Sequence, residues 1–227
     1  MKKIIIVWVM TCVAILAGIR THGYHEEHGE DCGCGLSRWE TIEQNVFPSS
    51  DLRGTETGPA RYRGVNTLDE NENTAWCVGP GTSPYAHILY GLAGLGLFQR
   101  VYGIEILPGY TKSDNFFKMN NRPKKILIEV TCAEHSLWGA KEIVAYSKEI
   151  VLKDERSYQK FMFNGKSTSE IIEEYCVKNG FIDYIGHQLQ LTILEVYKGS
   201  KYDDTCISGV RFLDKNDKPI KLLPDMK

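Results

Sequence analysis

Two stretches of this chain alternate apolar and polar residues with a period of two, a pattern that a half-buried β-strand satisfies and a helix does not. In residues 125–131, Ile126, Ile128 and Val130 fall on one face. In residues 189–193, Leu189, Leu191 and Ile193 alternate with Gln190 and Thr192. A strand with one apolar face has to bury it against another layer, so several such runs call for packed sheets. Further β-rich runs cover residues 85–92, 101–107, 141–152, 157–163 and 206–213, and Asn164-Gly165 is a turn signal. One helix is expected: Ser167 with Glu170 forms a capping-box pattern, and Ile171, Ile172, Tyr175 and Cys176 recur at helical spacing. Asn179-Gly180 supplies its C-terminal stop. Many short strands with one inserted helix, and no βαβ alternation, predict a mainly β chain: an antiparallel jelly-roll β-sandwich. A parallel nucleotide-binding sheet is excluded on the same ground.

Residues 189–212 read as the closing strand pair, with Tyr197, Lys198, Lys201, Tyr202, Asp203 and Asp204 in the loop between them. A simple hairpin turn needs only Asn, Gly or Asp to reverse the chain. A loop this polar and aromatic is either a solubilising tip or a recognition surface.

The N-terminus follows a different logic. Lys2-Lys3 precedes an uncharged apolar run over residues 4–18, the pattern of a secretory signal peptide. That run is shorter than the roughly 20 residues of a membrane span, so no stable span is expected after cleavage. The expected organisation is a signal peptide over 1–23, a polar leader over 24–35, a sandwich over 36–215 and a tail over 216–227. Removing residues 1–23 takes away Lys2, Lys3 and Arg20, leaving 24 basic residues against 29 acidic ones and a formal charge of about −5. An acidic, exported domain is a poor nucleic-acid binder, because the phosphate backbone requires a basic footprint.

Export also bears on the cysteines. Loss of Cys12 leaves Cys32, Cys34, Cys77, Cys132, Cys176 and Cys206, an even number that suggests disulfides. Two bridges among Cys77, Cys132, Cys176 and Cys206 is one reading and buried free thiols the other. In the leader, His25, His28, Cys32 and Cys34 are zinc- or copper-type ligands at a spacing that matches no trusted metal motif. The glycine-rich stretch 91–96 does not have the G-x-G-x-x-G order and reads as a wide turn. His87, His135 and His187 are scattered, no G-x-S-x-G is present, and no nucleophile–base arrangement emerges, so the expectation is a non-enzyme.

Three motifs go beyond patterning: Asn66 to Cys77 (NTLDENENTAWC), Gly109 to Ser113 (GYTKS) with Asn120 to Lys125 (NNRPKK), and Val196 to Ser208 (VYKGSKYDDTCIS). Together, in this order over roughly residues 49–213, they resemble the NADase-type glycan-binding domain of secreted bacterial NAD glycohydrolases and stand-alone exported proteins. The resemblance implies a discoidin-like, galactose-binding-like sandwich without catalytic activity, acting on cell-surface carbohydrate in the periplasm, at the cell surface or outside the cell. A protein-interaction or assembly module of the envelope is the alternative. The implied glycan-binding candidates are Tyr110, Lys112, Ser113, Asn121, Arg122, Tyr197, Lys198, Lys201, Tyr202 and Asp204. For each, the competing role is structural: turn satisfaction for the small polar residues, solvation for the lysines, a protein carboxylate for Arg122. Trp76 reads as a core anchor. The resemblance also implies a structural calcium, for which Asp69, Asn71 and Thr74 offer oxygens. Three departures matter. Asp69-Glu70-Asn71 replaces a DGD-like loop, Pro108 stands where the family has Asn, and Gly209 stands where it usually has an acid. The competing account of residues 69–74 is an Asx-stabilised loop without metal.

Overall fold

The computed structural model describes residues 38–50, 52, 62–81, 85–97, 99–136, 139–181 and 184–222. The expected signal peptide and leader, including His25, His28, Cys32 and Cys34, lie outside the described residues. In chain order the elements are α1 (Arg38–Glu43), β1 (Val46–Pro48), a 3-10 turn (Gly64–Leu68), β2 (Trp76–Val78), β3 (His87–Gly91), β4 (Gly103–Pro108) and α2 (Asp114–Met119). They continue with β5 (Arg122–Ser136), β6 (Gly139–Val151), β7 (Gln159–Met162), α3 (Thr168–Asn179), β8 (Tyr184–Tyr197) and β9 (Thr205–Leu213).

The strands make an antiparallel β-sandwich. One sheet has the order β1-β3-β8-β5-β6, the other β2-β9-β4-β7, and every ladder is antiparallel. The alternating runs behave as the period requires: Ile126, Ile128, Val130, Leu189, Leu191 and Ile193 are all essentially inaccessible to solvent. All but Val130 meet Ile104, Ile106, Ile207 and Phe212 of the other sheet in one core; Val130 packs with Cys132, Ile143, Ile172 and Cys176 beneath α3. Tyr90 and Phe212 stack edge to face across it at 5.4 Å. The Tyr90 hydroxyl is kept in a hydrogen bond with Thr67 Oγ1 at 2.9 Å, and burial pushes its pKa well up. Trp76 is a core anchor as expected: it is fully buried, with its indole N–H donated to the Ser50 carbonyl at 2.9 Å.

Two expectations change. First, β8 and β9 are not paired: β8 lies between β3 and β5, and β9 between β2 and β4. The segment between them crosses from one sheet to the other, which a tight hairpin turn cannot do, and this accounts for its length. Second, α3 is not the sole helix. Its capping box and left-handed Gly180 stop form as expected, but the six-residue helices α1 and α2 are added. Among the described residues the cysteines form one bridge, Cys77–Cys206, between directly paired residues of β2 and β9. Cys132 and Cys176 are buried thiols outside that bridge. Residues 92–96 form the wide turn expected after β3, and its Leu92 and Leu95 are buried in the core. No helix among the described residues is long and apolar enough to cross a membrane.

Candidate functional site

The loop between β8 and β9 is seated on α2 and the start of β5. Gly199 makes this possible: a Cβ there would stand 2.3 Å from the Met119 carbonyl oxygen. The N–H groups of Ser200, Lys201 and Tyr202 are donated to the carbonyls of Lys118 and Met119 at the C-terminus of α2. Asn121 completes the seat. Its Oδ1 accepts the Gly199 N–H at 2.8 Å, and its Nδ2 donates to Asp203 Oδ1 at 3.0 Å.

These contacts give several sequence candidates a structural task. Arg122 is buried and forks onto Asp154, with Nε to Oδ1 at 2.8 Å and Nη2 to Oδ2 at 2.7 Å. Its Nη1 donates to the Asn120 carbonyl at 2.9 Å, so its donors face protein groups. Ser113 caps α2 by accepting the Phe116 N–H. Tyr197 donates its hydroxyl to the Leu152 carbonyl at 3.0 Å. Lys198 is exposed and pairs with Asp203 at 2.7 Å. That ammonium, with the Asn121 amide, holds the Asp203 carboxyl below its usual range.

The remaining candidates border a cleft of about 290 Å³, lined by Leu52, Tyr62, Pro80, Tyr110, Phe116, Asn120, Tyr202 and Asp204. This lies at the lower end of small-ligand pockets. Tyr110 is its centre: the ring meets Tyr62 edge to face at 5.9 Å and Phe116 at 5.2 Å, and the hydroxyl donates to the Asn73 carbonyl. Beneath Tyr110 lie Ala75 and the Cys77–Cys206 bridge. Tyr202 is 41% exposed and offers an unburied aromatic face. Burial raises the pKa of Asp204, and repulsion from Asp203 adds to the shift. Lys112 and Lys201 are exposed and sit over the Phe116 and Tyr202 rings at 5.6 and 4.9 Å. Of the ten glycan candidates, the fold therefore brings Tyr110, Tyr202 and Asp204 to the cleft, with Lys112 and Lys201 over rings that line it. Sequence reasoning missed Leu52, Tyr62, Pro80, Phe116 and Asn120. Of these, Asn120 stood in a quoted motif, as the first residue of NNRPKK, without being assigned to the site.

The Asp69 loop holds its side-chain oxygens in hydrogen bonds of its own, as an Asx-stabilised loop does. Asp69 accepts the Asn71 N–H at 2.8 Å and the Thr74 hydroxyl at 2.6 Å, and Asn71 Oδ1 accepts from Asn73 N–H and Nδ2. The side-chain oxygens are turned onto donors within the loop, where calcium wants six to eight oxygens free to coordinate it. Position 209 adds no carboxylate, and a Cβ on Gly209 would stand 2.4 Å from the Tyr158 hydroxyl. Asp204 approaches Cys77 and Cys206 closely, but sulfurs joined in a disulfide are not thiolate ligands.

The described geometry agrees with comparison to known families. Residues 39–213 match the family described as the NAD glycohydrolase translocation F5/8 type C domain. No curated protein matches the chain. With a match spanning most of its length and a two-sheet antiparallel sandwich as its fold, the chain belongs to the NAD glycohydrolase translocation F5/8 type C domain family.

Proposed function

We propose that the protein is an exported, non-catalytic module that binds carbohydrate in the cleft beside Tyr110 and Tyr202. The observation that carries this reading is an aromatic-walled cleft with a half-exposed tyrosine and a carboxyl on a loop fastened to α2. An aromatic face suits the C–H side of a pyranose, and a carboxylate or amide fixes its hydroxyls. Rigid seating lowers the ordering cost of binding. Tyr202 and Asp204 are the residues assigned to direct contact, and Lys112 and Lys201 to the rim. The signal-like N-terminus supports export. A glycan array with the protein tests the reading. Tyr202→Ala and Asp204→Asn are each expected to weaken a positive glycan at least tenfold while leaving the melting temperature within about 2 °C. Absence of any glycan binding by folded protein overturns it.

The family description favours a second reading, a protein-interaction module in the translocation of an NAD glycohydrolase. Pull-down with that class of enzyme, with and without the array's best glycan as competitor, separates the two.

A further inference from the structure

Two cysteines outside the Cys77–Cys206 bridge lie where α3 meets the first sheet. Cys132 is on β5, opposite Ile143 of β6, and Cys176 is on the inner face of α3 with Ile172. Both are buried, and their Sγ atoms are 3.9 Å apart. Val130, Ile143 and Ile172 enclose them. A disulfide needs about 2.0 Å between sulfurs, so the remaining gap is within reach of a side-chain rotation and a small slide of the helix.

The two ends of α3 are anchored differently. The N-terminal end has the Ser167–Glu170 capping box, and the Thr168 N–H is donated to the Val101 carbonyl at 2.8 Å. Towards the C-terminus, the buried contact is Cys176 itself, flanked by the stacked rings of Tyr175 and Phe181. Val177, the next residue, is 74% exposed.

We propose that Cys132 and Cys176 are a disulfide-forming pair: a small disulfide oxidant closes them into a second bridge that fastens the C-terminal half of α3 to β5. In the first step one cysteine thiolate attacks a sulfur of the oxidant, whose S–S bond breaks and releases one thiolate. The other cysteine thiolate then attacks the protein sulfur of that mixed disulfide and releases the second. The oxidant takes two electrons, and the two S–H protons end on the two small thiols formed. Burial and the neighbouring Cys176 push the Cys132 thiol up to about 12, so Cys132 holds little thiolate while the helix is docked. The bond therefore closes while α3 is undocked, during folding or a local opening, and resists reduction once the helix packs over it.

Refolding the full chain in a buffer of oxidised and reduced glutathione tests this. Free thiols are alkylated in denaturant, and the protein is digested with trypsin without reduction. The expected product joins the peptide of residues 126–141 to that of residues 167–178. Peptide 64–100 joined to 202–211 reports the Cys77–Cys206 bridge in the same digest and shows that oxidation was effective. Recovery of that second pair with Cys132 and Cys176 both alkylated overturns the proposal. The oxidised protein is also expected to melt roughly 5–10 °C above a Cys132→Ala variant refolded alongside it. To separate bridging from lost packing, both proteins are melted again after complete reduction of the unfolded chains and refolding with excess reduced glutathione. The bridge requires the wild-type advantage to shrink under that condition, and an unchanged advantage counts against it.

Discussion

At the scale of single residues, His187 shows how burial sets chemistry. It is 4% exposed on β8, and burial lowers its pKa from 6.5 to about 4. Above pH 6.5 the ring is neutral in both folded and unfolded chains and adds no pH dependence. As pH falls from 6.5 towards 4, the unfolded chain takes up a proton that the folded chain refuses, so stability is lost over that window. The expected loss from this group is about 2 kcal/mol at pH 5. Melting curves at pH 7.5 and 5 should therefore differ by roughly 5 °C more in the wild type than in His187→Asn. Equal pH dependence in the two would show that the ring titrates normally. Gly209 illustrates a second residue-scale point: a Cβ at this motif position would stand 2.4 Å from the Tyr158 hydroxyl, so any side chain there requires that ring to shift.

At the scale of elements, the loop between β8 and β9 depends on its seat. Gly199→Ala drives a methyl group against the Met119 carbonyl and should cost about 2 kcal/mol, seen as a melting temperature lower by roughly 5 °C. The proposed glycan binding should fall more than stability alone explains, because Tyr202 and Asp204 move with the loop. An Ala variant indistinguishable from wild type in both measurements would remove the seat from the account. The same elements mark what was legible in the sequence. β5, β8 and α3 carry long periodic runs or a full capping box, and they fold where the pattern places them, with β5 extended to Arg122–Ser136. β1 and β2 are three residues each and α1 and α2 six, too short for a period to show. Sheet membership was not readable for β8 and β9, because alternation tells which face is buried but not which strand lies alongside. For the cleft, Tyr110, Tyr202 and Asp204 were readable from motifs. Tyr62 and Pro80 were not, since they converge on the site only through tertiary folding.

At the scale of the whole molecule, the Cys77–Cys206 bridge spans 129 residues of sequence and joins an edge strand to the strand beside it. In the chain-entropy account, closing so long a loop stabilises by about 4–5 kcal/mol. The pair of changes Cys77→Ala and Cys206→Ala should lower the melting temperature by roughly 10 °C or more. A drop of only a degree or two would mean that the sandwich holds its closing strand by packing alone. The bridge also lies directly beneath Tyr110, and it ties β2, just after the Asp69 loop, to the strand that Asp204 leads into. Two sides of the cleft are thus tethered at their base. Their separation is set before any ligand arrives, so the proposed carbohydrate binding should be a matter of encounter rather than of gating: the observed association rate should climb in proportion to ligand concentration, with no plateau to betray a slow opening.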